Sequence, residues 1–66
     1  MRIDRHKIST MLAEQAITQA VLADNCGVSR QTVSTVLTRG TCSAITAGKL
    51  AKGLGCNVNE ITKEDE

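Results

Sequence analysis

The stretch from Gln19 to Val36, Q-A-V-L-A-D-N-C-G-V-S-R-Q-T-V-S-T-V, decides the fold. It reads as two short helices joined by a tight turn. Thr18 stands where a hydroxyl can accept from a free amide of an opening helical turn, and Leu22, Ala23 and Cys26 then fall on one face. Gly27 ends this first helix, because the residue just past a helix often needs a positive φ that glycine adopts without steric cost. Val28 tucks inward and Ser29 caps the second helix. That helix turns Val33 and Val36 toward the core and leaves Arg30, Gln31, Thr32, Ser34 and Thr35 along its outer side. The methyl side chain of Ala23 lets the second backbone cross close to the first at a steep angle.

Working outward, Asp4 is the first plausible helix start, followed by the apolar stripe Ile8, Met11, Leu12 and Ala16, with Ile17 plugging the corner before Thr18. Arg5, His6, Ser9, Glu14 and Gln15 take the other face. His6 is the only histidine and has no carboxylate pair or nucleophile near it in sequence, so it reads as solvated surface. Past the central pair, the second of its helices runs from Arg30 to about Arg39 and stops at Gly40. Arg39 suits the free carbonyls of that helix end and equally suits a phosphate. Thr41 and Cys42 form a short loop, and Ser43 caps a further helix with the stripe Ile45, Ala47, Leu50, Ala51 and Leu54 and a stop at Gly55. Gly48 and Gly53 weaken that helix by about 1 kcal/mol each against alanine, so it depends on packing, and they allow close approach of another element. Asn57 and Glu60 have capping-box spacing and start a fifth short helix carrying Val58 and Ile61; the closing T-K-E-D-E is expected to fray. The expectation is one all-α domain over residues 1–66, with five helices between about residues 4 and 62 and an acidic tail from about 62 to 66.

With 66 residues and no Phe, Tyr or Trp, burial rests on Ile, Val, Leu, Met and Ala. A chain this short buries only about 60% of its unfolded surface, so dimerisation or ligand binding would be a natural supplement to stability. The net charge of +1 is unevenly spread. Residues 1–59 hold seven Lys and Arg against three Asp and Glu, whereas Lys63 stands against Glu60, Glu64, Asp65 and Glu66 in the tail. A body so weakly basic does not by itself argue for DNA. Cys26, Cys42 and Cys56 are odd in number and too widely spaced for a zinc or redox pair, which points to free reduced thiols and no metal. The opening M-R-I-D-R-H-K is too polar for a signal peptide, and no run is long and apolar enough for a membrane helix, so a cytoplasmic protein without membrane association is expected.

The run T-Q-A-V-L-A followed by G-V-S-R-Q-T-V-S resembles the helix-turn-helix of the Cro and phage-repressor (lambda-repressor-like) family, matching at cap, packing and turn positions together. The later L-A-K-G-L-G-C-N-V-N-E-I is similar to the family's closing pattern, so the likeness spans nearly the whole chain. It implies a compact lambda-repressor-like domain whose second and third helices form the DNA-binding motif. Three departures stand out. The loop Gly40 to Ser43 lacks the proline and lysines often found there, Leu37 stands where glutamate is frequent, and Ala20 with Val21 replace a usual polar pair. Leu37 reads first as an extension of the small core, and otherwise as part of a partner surface with Ala20 and Val21.

Reading DNA requires a helix slim enough for the major groove with donors near its N-terminal end. Arg30 can take guanine O6 and N7 together, Gln31 can take adenine N6 and N7, and Thr35, one turn on, can meet a thymine methyl; the resemblance places base contacts at these same positions. It also makes Gln19 a phosphate-contacting glutamine. Ser29, Thr32 and Ser34 are secondary candidates, although capping alone explains Ser29 and the other two read equally as solvent surface, and Arg39 divides between a phosphate and its own helix end. By the same likeness a homodimer contact lies near Cys56, Val58 and Ile61. The function expected is that of a sequence-specific regulator of transcription, a repressor occupying a double-stranded DNA operator, with no enzyme activity, cofactor or small-molecule ligand. The alternative is a protein-interaction module, an antitoxin-like partner or adaptor built on the same fold.

Overall fold

Four polar residues set the starts of four helices in the computed structural model, which describes residues 1–63. Helix α1 spans Arg5–Gln15, α2 Gln19–Cys26, α3 Arg30–Arg39 and α4 Ala44–Leu54. Asp4, Thr18, Ser29 and Ser43 each accept, through a side-chain oxygen, from the amide three residues on, at 3.1–3.2 Å. Each contact satisfies one of the amides that an opening turn leaves without a partner. The expected caps and the bounds of the two central helices are therefore the ones observed. Gly27, Gly40 and Gly55 end α2, α3 and α4 in the left-handed region, and Ala16 does the same for α1 with φ 55°. Ala16 thus corrects the expected stripe: it is an exposed cap residue and adds nothing to the buried face.

The core is one cluster built from Ile3, Ile8, Leu22, Ala23, Cys26, Val33, Val36, Ala47, Leu50, Ala51, Leu54 and Ile61. Helix α2 lies at its centre, packed on both α3 and α4. Met11, Leu12, Ile17, Val28 and Leu37 pack against the cluster from its margins, so Leu37 extends the core. Helix α4 comes so near α2 that a β-carbon on Gly53 would collide with the Cys26 thiol and lie 3.2 Å from its backbone nitrogen. Gly48 has nothing within 4 Å of that position, so the close approach is the work of Gly53 alone. Ile45, expected in the buried stripe, is instead 75% exposed. It stands two residues before Ala47, roughly 200° around the helix, which takes it off the face that Ala47, Leu50, Ala51 and Leu54 share.

After Gly55 the chain departs from the expected five helices. Val58–Glu60 is a single 3₁₀ turn, in which the Glu60 carboxylate accepts from the Asn57 amide at 2.8 Å. Ile61 then drops into the core and halts further winding. Thr62–Lys63, expected to fray, forms strand β2 and pairs antiparallel with β1, Arg2–Ile3, in the register Arg2 to Lys63 and Ile3 to Thr62. The Asp4 amide donates to the Ile61 carbonyl at 2.8 Å, extending this ribbon. On the other side of β1, the Ile3 amide donates to the Gly40 carbonyl at 2.8 Å, and Arg2 bridges to Thr41. The all-α class holds, with this short ribbon closing one end. The rest of the expected acidic tail, Glu64, Asp65 and Glu66, lies outside the described residues.

Candidate nucleic-acid interface

The turn between α2 and α3 is fixed from within. Gly27 donates to the Asp24 carbonyl at 3.3 Å and Val28 to the Ala23 carbonyl at 3.1 Å, while the Val28 side chain packs on the core. With Ala23 buried beneath it, α3 sits on Val33 and Val36 and turns its remaining surface outward. Arg30, Gln31, Ser34, Thr35, Thr38 and Arg39 are all exposed, a polar row on a helix anchored by its apolar side.

Gln31, Thr35 and Arg39 follow one another at one-turn spacing and form one wall of an open groove of about 370 Å³. Thr41, Ser43 and Thr46, from the loop after α3 and the first turn of α4, form the other wall. Arg30 and Ser34 do not line this groove. Gln19 is exposed as the first residue of α2. Ser29 and Thr32 reach the groove, but the Ser29 hydroxyl accepts from the Thr32 amide and lies 2.8 Å from the Thr32 hydroxyl. Their polar atoms are thus already engaged in holding the start of α3. The hydroxyls of the second wall escaped sequence reasoning because Ser43 reads as a cap and nothing local brings Thr46 opposite Gln31.

Cys42 also lines the groove, and burial pushes its thiol above the ordinary value. Among the described residues no group of His, Cys, Asp and Glu is placed to hold a metal ion, and no helix is long and apolar enough to cross a membrane. In the region expected for a dimer contact, Cys56 and Val58 are half-buried. Ile61 is 0% exposed within its own chain, so it supports that region from beneath and offers no surface to a second copy.

Two helices crossing at a glycine turn, the second buried on two valines and polar outside, define a helix-turn-helix protein. A family model described as Helix-turn-helix, of the Cro/C1 type, matches residues 8–61, and the chain belongs to this lambda-repressor-like family of DNA-binding regulators. The family is generally non-enzymatic. Searches of curated proteins and of solved structures return no match.

Proposed function

We propose that this protein is a sequence-specific repressor of transcription that occupies a double-stranded DNA operator as a symmetric homodimer. The observation that carries the reading is α3 itself, whose exposed polar row stands on a buried apolar side in the family that the chain belongs to. In this reading Arg30 and Gln31 pair with base edges at the start of α3 and Thr35 meets a base one turn on. Gln19 anchors the start of α2 to a phosphate, and Arg39, with Ser34, approaches the backbone. One recognition helix spans few base pairs, so two copies set their α3 helices about 34 Å apart, one DNA turn, with the contact near Cys56 and Val58.

The experiment is selection of bound duplexes from a random pool, followed by anisotropy titrations at fixed salt against the selected site and its single-base variants. Arg30→Ala and Gln31→Ala are expected to stay folded and to lose about 1–3 kcal/mol at one base pair, relaxing preference there. Gln19→Ala is expected to weaken every site by a similar factor, since phosphates are alike in all sequences. Folded Arg30→Ala and Gln31→Ala variants with full affinity and preference would refute the assignment of α3. Wild-type protein with no preference for any duplex would favour the adaptor alternative, whose surface is reduced to Ala20 and Val21 because Leu37 packs on the core.

A further inference from the structure

The first turn of α1 carries Arg5, His6 and Lys7 and no acidic residue. Cations at that end of a helix oppose its macrodipole and cost local stability. For Arg5 the structure shows what offsets this cost. Its Nη1 donates to the Leu37 carbonyl at 3.4 Å, and its Nε lies 3.9 Å from where a β-carbon on Gly40 would sit. Leu37 is in the last turn of α3, where carbonyls have no partner within the helix and the macrodipole favours positive charge. One guanidinium therefore leaves an unfavourable helix end for a favourable one. The main chain follows it, since Ile3 donates to the Gly40 carbonyl at 2.8 Å and the Met1 carbonyl accepts from the Thr41 hydroxyl and the Cys42 amide, both at 2.9 Å.

We propose that Arg5 is a positioning residue for DNA reading: it holds the C-terminal end of α3 and so fixes the tilt at which Arg30, Gln31 and Thr35 meet the bases. This rests on the reading of α3 as the recognition helix. Val33 and Val36, the buried residues of α3, and the half-buried Leu37 beside them gather within little more than one turn, so the apolar contacts hold the middle of the helix and leave the angle of its ends to polar ties. The tie at Leu37 and Gly40 lies at the end opposite the readers.

The test compares Arg5→Met, which keeps the stem without the charge, with Arg5→Lys, which keeps a cationic donor. The full chain is titrated against the selected duplex and its single-base variants at several salt concentrations, with thermal melts alongside. Arg5→Met is expected to lower the affinity ratio between selected and variant duplexes about threefold to tenfold. Arg5→Lys is expected to restore most of that ratio, and the dependence of affinity on salt stays as in wild type. Simple destabilisation cannot mimic this, because a smaller folded fraction scales the affinity for every duplex equally. If Arg5→Met fails to fold, the uncharged Arg5→Gln takes its place. An intact ratio in the uncharged variant overturns the proposal, as does a uniform loss with the salt slope reduced by about one, the signature of a phosphate contact. Wild-type protein without duplex preference would instead remove the recognition-helix reading beneath it, and would be seen before any variant is compared.

Discussion

Ala16 holds φ 55° and ψ 44° at the end of α1, where the other three helices have glycine. A β-carbon in this conformation crowds the following carbonyl, at a cost of about 1–2 kcal/mol, and glycine removes the crowding while adding some freedom to the unfolded chain. Ala16→Gly is therefore expected to stabilise the fold by about 0.5–1 kcal/mol, read as a higher urea midpoint with unchanged slope. Nothing in the sequence marks this alanine, since the best helix former gives no hint of a left-handed cap. The thiols make a second residue-scale prediction. Burial raises the pKa of Cys26, Cys42 and Cys56 from the ordinary 9.0, so the unfolded chain releases these protons first. Their contribution to stability is complete below pH 9.0 and declines as pH rises through that value toward the folded ones. Melts in reductant are expected to fall across this range, and less steeply in Cys26→Ala.

Within α4 the two interior glycines are chemically alike and structurally opposite. Gly53→Ala would drive a methyl into the Cys26 thiol and against the α2 backbone, so a loss of about 1–3 kcal/mol is expected despite the better helix propensity. Gly48→Ala meets open space and is expected to gain about 0.5–1 kcal/mol. Thermal melts of the two variants should move in opposite directions; a shared direction would contradict the close packing of α4 on α2. The sequence reveals that both glycines weaken the helix, but only the packed arrangement shows which one is needed. Helix starts were legible because a cap is a local bond between residues three apart, as at Ser29 and Thr32. Strands β1 and β2 were not, because two residues show no periodicity and each strand's partner lies at the far end of the chain. The exposed row on α3 was legible for the same reason as the caps, whereas the opposing wall at Thr41, Ser43 and Thr46 arises only when α4 packs.

For the whole molecule, a small core without aromatic side chains gains from anything that binds the folded form. If the protein pairs as proposed, its melting temperature should rise with protein concentration, since association stabilises the folded state by mass action. Sedimentation should show two copies per palindromic site; one copy per site at every concentration would remove the dimer. The placement of β1 between Thr41 on one side and Thr62–Lys63 on the other also orders events in time. Helices α2, α3 and α4 can gather as soon as residue 54 has left the ribosome, because their contacts are close in sequence. Arg2 and Ile3 can meet Thr41 and Gly40 once α3 has formed, but their ribbon waits for Thr62 and Lys63, across a loop that encloses all four helices. A strand made before the helices is thus completed only after them.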